Sequence, residues 1–123
     1  MIEIGLTPNR ADAASHFGTA RDIKAVTGLP ISLPKVDEFR LGSSAGKIKL
    51  KVEDAQGCPR FCGLEIQGVI VKESPEWLKT FLASISVNSI NNLVDITNYI
   101  CHFLGQPMHI FDTDKIRGQE ITV

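Results

Sequence analysis

The sequence predicts an α+β fold: a short helical segment, then a mixed β-sheet unit with two amphipathic helices, truncated at its C-terminus. Three observations predict it. Trp77, Leu78, Phe81, Leu82 and Ile85 fall on one helical face, and Ile96, Ile100, Phe103 and Leu104 repeat the spacing. Lys47, Lys49 and Lys51 alternate with Ile48, Leu50 and Val52, the period-two pattern of a half-buried strand. Between an earlier helical stretch and these elements lies a break in composition over 31–46, with mixed charge, a proline and the run Gly42-Ser43-Ser44-Ala45-Gly46.

The elements follow in order. Ile2, Ile4 and Leu6 alternate as a short strand, which Thr7-Pro8-Asn9 breaks. Asp12 is placed to cap a helix running to Thr27, because its carboxylate can accept backbone N–H groups that a first helical turn leaves unpaired. Ala13, Phe17, Ala20 and Ile23 form its packing arc. Gly28 suits the left-handed residue that closes a helix, and Pro30 prevents continuation. These signals divide the chain into 1–30, a linker at 31–46, and a unit at 47–123.

Within the last unit, Phe61 to Val71 reads as a second strand, interrupted by Gly63 and Gly68. Ser74-Pro75 reads as a cap and first helical residue. A second helix is expected from about Asp95 to Leu104, with Gly105 closing it. Met108–Phe111 and Glu120–Val123 read as strands around an Asp112–Gly118 turn. The sequence ends inside that last pattern, so a longer parent protein is expected.

Bulk properties limit the function classes. A chain of 123 residues, 43% hydrophobic, can bury a modest core. No apolar run is long enough to span a bilayer, and no basic-then-apolar leader opens the chain. Three cysteines, an odd number, argue against a secreted disulfide framework and for reducing cytoplasm. The net charge of -1 counts against an autonomous nucleic-acid-binding module, which usually carries a basic patch. The three lysines fit the solvated face of an edge strand. Trp77 and Phe81 sit at helical spacing with leucines and read as core. There is no P-loop or dinucleotide glycine fingerprint.

Polar chemistry concentrates in Val94-Asp95-Ile96-Thr97-Asn98-Tyr99 and Gly105-Gln106-Pro107-Met108-His109-Ile110-Phe111-Asp112. Asn98 offers donors and an acceptor, Thr97 a hydroxyl, and His109 a proton that moves near neutral pH. Together they could hold a small polar ligand and position a water. Each also has a plain structural alternative: a core histidine capped by a carbonyl, a threonine bonded to its own preceding turn, a solvated asparagine. Cys58, Cys62, Cys101 and His102 superficially suggest zinc, but Cys62 lies in a strand pattern beside Leu64, where a buried cysteine acting as a small hydrophobe fits better. No metal site is expected.

The string NNLVDITNYICHFLGQPMHIFDTDKIRG closely resembles the editing module of the bacterial phenylalanyl-tRNA synthetase beta subunit. Thr7-Pro8-Asn9-Arg10-Ala11-Asp12 resembles the start of a helical segment of that subunit, and Cys58-Pro59-Arg60-Phe61 the strand entry of its editing module. The resemblance implies that 1–30 is the second piece of an interrupted small helical domain and 47–123 the first part of an editing-type domain. It implies a parent that is a phenylalanine–tRNA ligase, uses ATP and magnesium, pairs with a catalytic alpha subunit as a heterotetramer, binds tRNA(Phe) and works in the cytoplasm. It implies that His109, on the family's GQPxHxFD position, acts in editing by positioning water, with Thr97 and Asn98 bordering the substrate. An apolar pocket rejects an added hydroxyl only about 100-fold, so tyrosine attached in place of phenylalanine needs a second, hydrolytic sieve. The acidic residue that reads the tyrosine hydroxyl in the family is expected beyond Val123. Many members carry Arg-Pro where this chain has Asn88-Ser89. The chain by itself is expected neither to activate phenylalanine nor to charge tRNA. The competing possibilities are a stand-alone small-ligand or RNA-binding module related to the editing fold, and a purely structural interaction domain.

Overall fold

The computed structural model describes residues 2–42 and 46–123. Met1 and the Ser43-Ser44-Ala45 part of the expected linker lie outside the described residues. The fold is α+β, with three α-helices and a two-stranded parallel sheet among the described residues. Two compact units emerge: one joins Met1–Val36 with Val71–Ile110, the other joins Asp37–Ile70 with Phe111–Val123. This grouping follows contact, whereas the segments 1–30, 31–46 and 47–123 follow composition and resemblance.

The first unit is helical. A 3-10 turn at Ala11–Ala13 leads into α1, His16–Thr27. The cap is Ser15, not Asp12: its Oγ accepts the Gly18 N–H at 2.9 Å. Asp12 instead faces Arg10, whose guanidinium also grips Asp22 of α1. That second bond ties the entry segment to the helix. Gly28 closes α1 in the left-handed conformation, donating to the Lys24 carbonyl, as the sequence predicts. Of the expected packing arc, Ala13 is buried and Phe17 and Ala20 half-buried, but Ile23 stays exposed.

Helix α2 spans Glu76–Ser84 and α3 spans Asn92–Leu104. Leu78 and Leu82 of α2 are fully buried; each contributes about 1.5–3 kcal/mol of burial. Pro75, not Ser74, occupies the α2 cap position. Helix α3 begins three residues earlier than expected, because the Asn91 side chain accepts the N–H groups of Leu93 and Val94, both at 3.0 Å. It packs against both α1 and α2. Tyr99 of α3 meets Trp77 edge-on, Phe81 edge-on and Phe103 stacked, with centroids 5.5, 4.8 and 5.3 Å away. Trp77 lies at the outer end of this ladder and is 56% exposed, so it is a rim residue and not core.

The second unit holds the sheet. β1, Lys49–Lys51, runs parallel to β2, Glu120–Thr122, in the register Lys49↔Glu120, Leu50↔Ile121 and Lys51↔Thr122. Bonds from Val123 N–H to the Lys51 carbonyl and from Glu53 N–H to the Val123 carbonyl extend the ladder. Gly63 lies against Leu50: a Cβ there would stand 3.0 Å from Leu50 Cδ1.

Three other expected strands, at 2–6, 61–71 and 108–111, are not assigned as strands among the described residues. Alternation supplies a side-chain pattern, but a strand is defined by a regular ladder of backbone bonds, which the pattern alone does not specify. Leu64, Ile66 and Ile70 keep the alternation and remain exposed.

Candidate functional site

The three residues singled out by sequence belong to the helical unit. Thr97 and Asn98 stand half-buried in the second turn of α3, about 100° apart around its axis. His109 is exposed on the non-helical segment after Gly105. The Thr97 hydroxyl donates to the Val94 carbonyl one turn back, at 2.7 Å. That bond fixes its rotamer and leaves the oxygen's lone pairs for a further donor. The left-handed Gly105 ends α3 and starts the turn toward Pro107 and His109.

The junction behind this turn is close. A Cβ on Gly105 would meet Ser15 Cβ at 3.3 Å and Ser15 Oγ at 3.4 Å, so the end of α3 abuts the start of α1. His16 Nδ1 lies 3.0 Å from the His102 carbonyl oxygen, and its ring packs 5.2 Å from Phe81. Grooves run beside α1, one lined by Phe17, Arg21, Lys24, Ala25 and Ile31, the other including Ile4, Leu6, Ile23 and Val26. Thr97, Asn98 and His109 line neither.

Sequence reasoning missed Asp95, which it used only as an approximate helix start. Asp95 is 0% exposed. Its Oδ2 accepts the hydroxyls of Ser74 and Ser89, both at 2.5 Å, and its Oδ1 accepts the Ile90 N–H at 2.8 Å. Burial pushes its pKa up, but the bonds from Ser74, Ser89 and the Ile90 and Asn91 N–H groups outweigh burial and hold the carboxyl below its ordinary value. A signal for it exists in the sequence: Asp95 lies one turn before Tyr99 on the same helical ridge, so a carboxylate sits on a packing face and must find donors there.

The cysteines Cys58, Cys62 and Cys101 are free thiols. Arg60 Nε donates to Cys62 Sγ at 3.4 Å, and Cys62 is exposed, where a buried strand position was expected. Among the described residues no group of three or more His, Cys, Asp or Glu converges on a metal position, and no helix is long and apolar enough to cross a membrane.

A helix-bound Thr-Asn pair followed by a glycine-ended turn carrying a histidine is set in a recognised type of domain. Residues 57–123 match the B3/4 domain, and the chain belongs to that family. More particularly, it is similar along its whole length to phenylalanine–tRNA ligase beta subunits. The Bacteroides fragilis subunit is 49% identical over 128 residues, covering 100% of this chain and 16% of that protein. The Porphyromonas gingivalis subunit is 47% identical over 127 residues, covering 99% and 15%. The Chlorobium chlorochromatii subunit is 44% identical over 123 residues, covering 100% and 15%. The chain thus spans about a sixth of the length of the curated relatives it matches.

Proposed function

We propose that this chain acts as part of the beta subunit of a phenylalanine–tRNA ligase, contributing scaffold and one wall of a site that hydrolyses tyrosine mischarged onto tRNA(Phe). The observation that carries this is the similarity to such subunits over the entire chain, at 44 to 49% identity in the relatives named. The placement of Thr97, Asn98 and His109 in one compact unit supports it. Exposed apolar residues support a larger setting: Leu64, Ile66 and Ile70 stand on alternating positions and remain exposed, and surfaces of this kind are normally covered.

In this proposal the ester of tyrosyl-tRNA lies against α3. Hydrolysis needs an oriented water and donors for the developing oxyanion more than a strong nucleophile. His109 positions the water, the Asn98 amide donates to the ester oxygen, and Thr97, fixed by its bond to Val94, shapes the wall between them. The aminoacylation site, with its ATP and magnesium, belongs to the partner alpha subunit, and the whole works in the cytoplasm.

The test uses the full-length subunit assembled with its partner. His109→Ala should slow deacylation of preformed tyrosyl-tRNA by about 10²–10⁴-fold, the usual worth of a positioned proton-transfer or hydrogen-bonding group. Phenylalanine charging should stay within about twofold of wild type on the same reasoning, since a separate pocket makes the ester. Asn98→Ala should act in the same direction but more weakly. Unchanged deacylation in His109→Ala, or an equal fall in both activities, would remove His109 from the site.

A further inference from the structure

Asp95 raises a question that the proposed hydrolysis leaves open. Among the described residues it is the one ionisable side chain in the fully buried set, and an apolar residue would fill the same space without the cost of removing a charge from water. Its partners supply a reason. Ser74 lies at the entry to α2, and Ser89 and Ile90 lie in the link that enters α3. The donors therefore come from two segments outside the helix that carries the carboxylate. One turn earlier, Lys72 N–H donates to Asn92 Oδ1 at 3.0 Å, and Asn92 N–H donates to the Lys72 carbonyl at 2.9 Å.

Apolar packing restrains rotation of a helix about its own axis through the shapes of the facing side chains, since each dispersion contact is itself non-directional. A carboxylate held by directional hydrogen bonds from Ser74, Ser89 and the Ile90 and Asn91 N–H groups adds a fixed bearing. Side chains on a helix are fixed about 100° apart, so pinning the bearing of residue 95 fixes residues 97 and 98 as well. Asn98, three residues on, shares its ridge.

We propose that Asp95 is a positioning residue for the Thr97–Asn98 pair: its buried carboxylate sets the rotation of α3 and so the direction in which both side chains meet the ester. This rests on the editing role proposed above. Asp95 touches no substrate. Replacing it with asparagine keeps an acceptor for the Ile90 N–H and lets both serine hydroxyls reverse, so the local shape survives while the shared charged anchor is lost. Ser74→Ala and Ser89→Ala each remove one bond and leave the carboxylate in place.

The experiment measures single-turnover deacylation of preformed tyrosyl-tRNA by the full-length heteromer, with its saturated rate and half-saturating concentration resolved. The variants are Asp95→Asn, Ser74→Ala, Ser89→Ala and His109→Ala, with phenylalanine charging and the thermal midpoint followed for each. The expected result is a saturated rate about 10-fold lower in Asp95→Asn and about 3-fold lower in each serine variant, because small misplacements of orienting groups act on the rate. Half-saturation and charging should be unchanged. If Asp95→Asn fails to fold, the two serine variants decide the matter. Wild-type rates in the Asp95 and serine variants, beside a slow His109→Ala, would overturn the positioning role and leave the editing role standing. Deacylation and charging falling together with the thermal midpoint would make Asp95 a stability residue only and also overturn it. Wild-type deacylation in His109→Ala would sink the editing role itself, and this proposal with it.

Discussion

Gly105 and Ser15 meet where one helix ends and another begins, with only 3.3 Å between the Ser15 Cβ and the place a Cβ would take on Gly105. Gly105 also has φ of +76°, where side chains cost roughly 1–2 kcal/mol. Gly28 closes α1 at a similar φ of +71° but has nothing within 4 Å of its Cβ position. Gly28→Ala should therefore lose about 1 kcal/mol. Gly105→Ala should lose more, by about a further 1 kcal/mol for crowding. Urea denaturation of the two variants isolates the contact; equal losses would mean that the Ser15 junction yields freely.

Asp95 predicts a particular acid response. Its folded pKa is depressed below the ordinary value of 3.8. The carboxylate therefore stabilises the fold above that value, and the contribution is lost as pH falls below 3.8 through the folded pKa. The folded form should weaken over that acid range more steeply in wild type than in Asp95→Asn. Denaturation midpoints taken at a series of pH values check this. Parallel acid limbs in the two proteins would show that Asp95 does not titrate with folding.

Helix α2 ends on a residue that a glycine would suit better. Ser86 has φ of +61°, its N–H donates to the Ala83 carbonyl, and Val87 N–H donates to the Leu82 carbonyl. That paired pattern is the Schellman closure, which usually carries glycine at this position. Ser86→Gly should stabilise by about 1 kcal/mol, since relief of the left-handed strain exceeds the added freedom of the unfolded chain. A lower thermal midpoint for Ser86→Gly would contradict this.

Asn91 caps α3 through one oxygen that accepts two N–H groups. Asn91→Ala should cost about 0.5–2 kcal/mol and Asn91→Gly only a few tenths. Hydrogen exchange at Leu93 and Val94 should quicken in the alanine variant. Unchanged exchange there would show that the cap is dispensable.

The helices were largely legible because their burial follows period: Leu78 and Leu82 are buried where the stripe of α2 places them. Their starts were less so. Asp12, Ser15, Ser74 and Asn91 are all chemically able to cap, and the choice depends on which finds another partner. Asp12 finds Arg10, and Ser74 finds a carboxylate 21 residues away. Strand pattern was a weaker guide, since the segments at 2–6, 61–71 and 108–111 alternate, while the strands formed among the described residues are Lys49–Lys51 and Glu120–Thr122. The candidate site was legible as a set of polar side chains through resemblance. Asp95 behind it was not, because its donors lie outside its own helix.

The two compact units alternate along the chain: each takes one stretch before residue 71 and another from residue 71 onward. Neither is a cassette. No single cut releases one intact, and during synthesis neither can finish assembling until its later stretch has left the ribosome. β1 must wait about 70 residues for β2, a closure whose entropic cost grows only slowly with the length bridged but whose arrival is late. An insertion between residues 52 and 70 would lengthen that wait without breaking either unit's list of parts, whereas a graft that borrowed 47–123 alone would leave behind Ser15 and His16, the residues against which α3 ends.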